Sequence, residues 1–506
     1  MKAGRAALMG IDLGTTATKV GLFEATTGEL LAVARHDYRA TAPAPGWSEM
    51  QIETYWEATV AATRHALDDA GRPEVLGIGI SSQGQTFAPL DEGHRPLRPA
   101  IVWLDTRAEE QAAHLRSLLD DGEFSRRTGL PFPSAIESAA KLLWLRENER
   151  EVWHRIRSLV LLPDYLGLRL TGQRRLDLNN AASTGMVDLG AGDWWPEALA
   201  AVGVPAEWMS PIGRPGEVIG ALRPEAAEEL GLLPGIRVAL GSNDQLSGAV
   251  GVGNVKAGMA SGTVGTAMAL VSTVEEVGRD AQRAITWGRH PVPGLFFLLA
   301  YAKTSGVLLT WLRDLAAAER SYEQLLAEAD RVPPGSDGLV CLPHFSGTAT
   351  PTFRSEVRGG FVGLTLAHSR AHMVRAVAEA VCFTCRDALS LTARGGQPAA
   401  TIRMLGGATR SDLWMQMLAD VVRLPLEVPR CSEASVLGSA VFAGVGEGRF
   451  ASISEGAGAF YRPGRSFTPR PDIASRYDPA YASYRKAMER LYPGALGATA
   501  AEEHVI

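Results

Sequence analysis

Near its start the chain reads Gly10-Ile11-Asp12-Leu13-Gly14-Thr15-Thr16-Ala17-Thr18-Lys19-Val20-Gly21, and no other stretch restricts the fold as strongly. The apolar run Leu8 to Leu13 reads as a buried strand, Gly14-Thr15-Thr16 as a tight turn, and Lys19 to Phe23 as a returning strand. Glycine in the turn lets an anion approach the main chain closely. Successive N–H groups and two threonine hydroxyls can then cradle a phosphate. Asp12, at the strand end facing the turn, can hold Mg²⁺ directly or through water. Taken alone, the stretch is also compatible with an ordinary hairpin. No GxxxxGK[ST] occurs, which excludes a P-loop enzyme.

Two later stretches echo the first. Met259-Ala260-Ser261-Gly262-Thr263 restarts a strand and a Gly-Thr turn, with Ala267 to Val271 returning. Strand Ile402 to Leu405 runs into Gly406-Gly407-Ala408-Thr409-Arg410, and a helix with Ser411 as N-cap follows. The first two turns suit phosphates; the third suits an adenine and ribose, or a phosphate at a helix N-terminus. A second acid, Asp244, ends the strand that starts at Arg237. Phosphoryl transfer needs a metal to neutralise phosphate charge and a group to receive the acceptor's proton. Asp12 suits the first role and Asp244 the second, with a helix N-cap as the plainer alternative for Asp244. The chain from Leu246 to Gly253 is rich in small residues, and within it Gly248 to Gly253, with glycines at 248, 251 and 253, is a candidate hinge.

The 506 residues suffice for two large domains. The 46% hydrophobic and 21% charged fractions are those of a globular protein. A formal charge of -6 gives no basic signature for nucleic acid. No apolar run approaches a membrane span, and the first strand begins with no signal-peptide pattern ahead of it, so a cytoplasmic location is expected. Cys382 and Cys385 lie on a segment with helical apolar spacing and read as core thiols rather than a metal site.

The chain resembles the FGGY carbohydrate kinases of the actin/hexokinase/Hsp70 superfamily, and among them the xylulokinases. The resemblance rests on GGATRSDLWMQMLADVVRLPLEVP from Gly406 and EASVLGSAVFAG from Glu433, with KLLWLRENE from Lys141 and LLPDYLGLRLTG from Leu161. AASTGMVD from Ala181 and FVGLTLAHSRAHMVRAVAEAV from Phe361 add to it. It implies an α/β fold of two RNase-H-like (actin-like ATPase) domains flanking a deep cleft. The expected division is residues 1–246, residues 247–470 and a helical tail, 471–506. It also implies ATP and Mg²⁺ as cofactors, a sugar or polyol substrate, and a homodimer as the favoured assembly.

Carried over by this resemblance, Asp244 is the general base, and Asp12 and Asp244 are the metal residues. Gly14, Thr15, Thr16, Lys19, Gly262 and Thr263 would hold phosphates, and Gly406, Gly407 and Arg410 would lie near the adenosine. Gln83, Gly84, Gln85, Trp103, Asp105, Asp244 and Gln245 would form a polar acceptor pocket with one aromatic wall. The sequence departs from its relatives at Gln83-Gly84-Gln85-Thr86, where xylulokinases carry Gln-Met-His-Gly and glycerol kinases Gln-Arg-Glu-Thr. Gly84 is expected to leave extra room. A ketopentose such as xylulose is the first expectation. Another ketose, a tetritol, glycerol or a sugar acid is the alternative, and a non-transferring ATPase of the same superfamily a more distant one.

Overall fold

The computed structural model describes residues 5–278 and 284–497. The chain divides into two compact units: Met1–Val255 with Gly288–Gly294 and Glu433–Tyr461, and Lys256–Trp287 with Leu295–Ser432 and Arg462–Ile506. This differs from the expected linear division at 246 and 470. The helices Ala434–Gly446 and Ile453–Phe460 belong with the first unit because their apolar faces complete its core.

In the first unit, strands Ala6–Leu13, Ala17–Glu24 and Leu30–Asp37 form an antiparallel meander. Strand Glu74–Ser82 pairs parallel to the opening strand on its other side, and Arg237–Asn243 pairs parallel to Glu74–Ser82. The opening strand is buried over nearly its whole length, as a strand covered on both faces must be. Helix Glu53–Asp69 packs on the meander through Tyr55, Trp56, Ala58 and Ala62. Helix Ala434–Gly446 lies directly on the sheet. A Cβ added at Gly10 would stand 2.0 Å from the Val436 carbonyl oxygen, and one at Gly79 1.9 Å from that of Ser439. Only glycine permits such an approach.

The candidate hinge is a helix, Asp244–Gly251. Of its glycines, Gly251 serves packing, Gly248 faces open space, and Gly253 follows the helix at φ 69. A Cβ on Gly251 would meet the Ala434 carbonyl oxygen at 2.0 Å, and one on Gly438 would meet that of Ser247 at 1.9 Å. The two helices therefore touch backbone to backbone.

The second unit repeats the scheme. Met259–Val264, Met268–Val274 and Phe296–Ala302 form an antiparallel meander, and Thr401–Leu405 and then Leu426–Val428 extend it in parallel. Both sheets thus share one strand order, the RNase-H-like order, and the weak echo between the two halves of the sequence is a structural repeat. Cys382 and Cys385 are free, buried thiols on the long helix Arg370–Gly395. Burial pushes the Cys385 thiol up to about 12. No helix among the described residues is long and apolar enough to cross a membrane.

Candidate active site

The first unit gathers polar residues where three parallel strands end. Asp12 stands across from Ser81, and Ser81 from Ser242, so Asp12, Gln83 and Asp244 emerge along one edge of the sheet. The carboxyl ends of parallel strands are where open α/β sheets bind ligands. Asp12 is 8% exposed. Its Oδ2 accepts a hydrogen bond from Ser435 Oγ at 2.7 Å, while Oδ1 is buried with no hydrogen-bond partner. Burial raises the Asp12 carboxyl above its usual range, against the pull of the Ser435 and Ser81 hydroxyls and of Lys19. An orphaned buried carboxylate oxygen fits a Mg²⁺ ligand. Mg²⁺ needs only one or two carboxylates, its other places going to phosphate and water.

Asp244 opens helix Asp244–Gly251. The N-cap is its neighbour Asn243, whose side-chain oxygen accepts from the N–H groups of Gln245 and Leu246. Asp244 is therefore spared the capping role and stays available at the strand end. Its Oδ1 accepts from the Gln245 N–H at 2.8 Å. Burial first, and the Asp12 carboxylate second, push its carboxyl up to about 7. A base poised near 7 is matched to proton transfer at neutral pH.

The Gly14 turn is tied to the loops beyond it. Thr15 Oγ1 donates to Gln83 Oε1 at 3.1 Å and accepts from the Trp103 indole N–H at 2.9 Å. Gln83 Nε2 donates to the Gly14 carbonyl at 3.1 Å and to the Tyr55 hydroxyl at 3.2 Å. With the Thr15 hydroxyl spent in this way, the turn offers an anion its main chain and the exposed Thr16. Lys19 Nζ is paired with Glu433 Oε2 at 2.6 Å.

Gly84 is not the open position its lack of side chain suggests. A Cβ there would stand 2.8 Å from Ser183 Oγ. Ser183, unidentified from sequence, fills the space; it accepts from the Gln85 N–H at 3.2 Å and donates to the Asn180 carbonyl at 2.7 Å. Asn179 and Asn180 lie in the short helix Leu178–Ala182, which places Ser183. Gln85 itself has φ 59, a left-handed setting that residues other than glycine rarely adopt.

Asp105 is fully buried and has no free edge for a ligand. Its oxygens accept from Arg107 at 2.9 and 2.7 Å and from the Ser48 N–H at 2.5 Å. Arg107 also reaches Glu49 at 2.7 Å and stacks on Trp47, 3.7 Å from the ring centre. Asp105 is thus part of a buried ion-pair network behind the loop, not of the pocket wall expected of it. Trp103 and Gln245 are half-buried beside the strand ends.

In the second unit the turn lies three residues later than expected. Gly262 and Thr263 are inside strand Met259–Val264, and a Cβ on Gly262 would stand 2.7 Å from Met404 Sδ. The turn is formed by Gly265 and Thr266. The Gly265 N–H donates to the Ala267 carbonyl at 3.0 Å, just as the Gly14 N–H donates to Ala17 at 3.0 Å. Helix Val307–Ala316 begins against this turn: Ser305 N–H donates to the Thr266 carbonyl at 2.9 Å, and a Cβ on Gly306 would lie 2.6 Å from the Gly265 oxygen. Gly406, at φ 92, packs against the Val264 main chain, while Gly407 faces open space and Arg410 is exposed. Ser411 caps helix Asp412–Val422 as expected, its Oγ accepting from the Trp414 N–H at 3.2 Å.

Residues 7–251 match the N-terminal domain, and residues 259–447 the C-terminal domain, of the FGGY family of carbohydrate kinases. The chain is 28% identical over 485 residues to a xylulose kinase of Bacillus subtilis, covering 94% of this chain and 96% of the relative. It is 29% identical over 507 residues to a gluconokinase of the same organism, covering 96% of each. The crystal structure of xylulose kinase from Rhodospirillum rubrum superposes with a TM-score of 0.89 at 30% identity, over 96% of this chain and 99% of that one.

Proposed function

Because the chain belongs to the FGGY family of carbohydrate kinases, an ATP-dependent phosphotransferase family, we propose that it phosphorylates an uncharged ketose, xylulose before others, using Asp244 as the general base. The observation that carries the reading is the alignment of Asp12, Gln83 and Asp244 along the ends of three parallel strands, with Asp244 near neutrality. The acceptor hydroxyl gives its proton to Asp244 as its oxygen attacks the γ-phosphorus in line, and the bond from that phosphorus to the β,γ-bridging oxygen breaks to release ADP. Asp12, through its unpartnered Oδ1, would hold Mg²⁺, which neutralises charge on the phosphates when bound. Gln85 offers a neutral amide donor and acceptor and Trp103 an apolar face, a surface that reads hydroxyl groups, while Gln83, its amide engaged with Thr15, Gly14 and Tyr55, holds the turn beside them. In the second unit, the Gly265–Thr266 turn and the Gly406–Gly407 corner are the candidate nucleotide contacts, with the exposed Arg410 beside them.

A sugar acid is the second reading, favoured by the gluconokinase, which is as similar as the xylulose kinase. A coupled assay over ketoses, alditols and aldonic acids decides between them. Turnover is expected first with xylulose; turnover with gluconate alone would overturn the ketose reading.

A further inference from the structure

We propose that the first turn of helix Ser138–Asn148 is a clamp that sets both loops of the acceptor pocket, with Ser138 and Lys141 as its positioning residues. The inference rests on the acceptor site assigned above to Gln85 and Trp103. Ser138 and Lys141 are three residues apart, so they share a face of the helix. Both are fully buried. Ser138 Oγ donates to the Gln85 carbonyl at 2.8 Å. Lys141 Nζ donates to the carbonyls of Trp103 at 2.9 Å, Val102 at 3.2 Å and Ile136 at 2.8 Å. One helical turn thus holds the main chain of both loops.

A buried ammonium is costly, and an apolar side chain would fill the same volume without that cost. Burial lowers the Lys141 ammonium to about 7, with Asp105 and Glu137 acting against the shift. Its protons go to loop carbonyls rather than to a carboxylate, which is the pattern of a group that fixes main-chain geometry. The Gln85 loop needs such fixing, because Gln85 sits at φ 59. Its peptide is held from both sides, by Ser138 on the carbonyl and by Ser183 at the N–H. The two loops are also joined to each other, since the Trp103 N–H donates to Thr86 Oγ1 at 3.1 Å. A misplacement of about 1 Å in such loops is enough to weaken sugar binding.

The test is steady-state kinetics of Ser138→Ala, Lys141→Met and Lys141→Gln beside Gln85→Ala. Ser138→Ala and Lys141→Met are expected to raise the sugar KM about tenfold each. In Ser138→Ala, which acts on Gln85 alone, the ATP KM and the sugar-independent ATP hydrolysis should stay within about twofold of wild type. Lys141→Gln, which keeps a donor, should fall between Lys141→Met and wild type. The clamp is overturned if Ser138→Ala leaves the sugar KM unchanged, or if it raises the ATP KM as much as the sugar KM. Ser138→Ala removes only a hydroxyl, so it decides the matter even where Lys141→Met does not fold. If Gln85→Ala also leaves the sugar KM unchanged, the acceptor-site assignment is what fails, and the clamp falls with it.

Discussion

The indole N–H of Trp103 donates to the hydroxyl of Thr15 at 2.9 Å, joining a loop assigned to the sugar with a turn assigned to phosphate. Thr15 in turn donates a hydrogen bond to Gln83, so a single hydroxyl stands between the two loops.

That link makes a prediction. Trp103→Phe keeps the ring and removes the donor, and Thr15→Val removes the acceptor. Each is expected to raise the sugar KM several-fold, the scale of a lost hydrogen bond of about 1 kcal/mol. The double variant should be no worse than the poorer single one, since both remove the same bond. Effects that multiply in the double-mutant cycle would mean the two residues act independently.

Asp244→Asn keeps the shape of the side chain and removes its capacity to accept a proton. The expected loss in kcat is about 10²–10⁴-fold, with nucleotide affinity and the circular dichroism spectrum retained. Turnover near the wild-type rate would show that another group takes the proton.

Ser183 and Gly84 compete for one volume. Gly84→Met alone drives a side chain into Ser183 Oγ, so it should lower both kcat/KM and stability. Adding Ser183→Gly should recover much of the stability, and the recovered enzyme should rank sugars differently. No recovery in the double variant would place the conflict elsewhere.

Asp164 gives a pH dependence of stability. It is fully buried, its Oδ2 accepts from Ser210 Oγ at 2.6 Å, and its Oδ1 has no partner. Burial raises its carboxyl to about 7 from 3.8. Between those values the folded chain keeps a proton that the unfolded chain has released, so stability falls as pH rises through the window and stays lower above it. Asp164→Asn removes that loss. Denaturant titrations at pH 8 should find it more stable than wild type by about 1 kcal/mol or more, the advantage vanishing near pH 4. An equal difference at both pH values would exclude ionisation as the cause.

The opening hairpin, Asp12 and the strand before Asp244 were legible because each depends on local pattern: an apolar run, a turn glycine and a polar strand end. Gly262 was mistaken for the turn because Ser261-Gly262-Thr263-Val264-Gly265-Thr266 contains two Gly-Thr pairs three residues apart, and only strand pairing chooses between them. Asp105 looked like a pocket residue because a strand end gives no sign that Arg107, two positions on, will take its charge. Ser183 lies 98 residues from the Gln85 N–H it accepts from, and no periodicity connects them. Of the glycines in the candidate hinge, Gly251 has another cause, since close packing and chain flexibility call for the same residue.

The first unit's sheet is laid down within the first half of the chain, yet the helix that lies on Gly10 and Gly79 is encoded from Ala434. On the ribosome, the N-terminal segment therefore emerges with one face of its sheet bare. It must remain so while most of the second unit, up to Ser432, is translated. Exposed apolar sheet during synthesis is a point of vulnerability to aggregation and a natural place for a chaperone to act. A nascent chain stopped before Glu433 would hold both candidate carboxylates, Asp12 and Asp244, and still lack the helix whose Ser435 donates to Asp12.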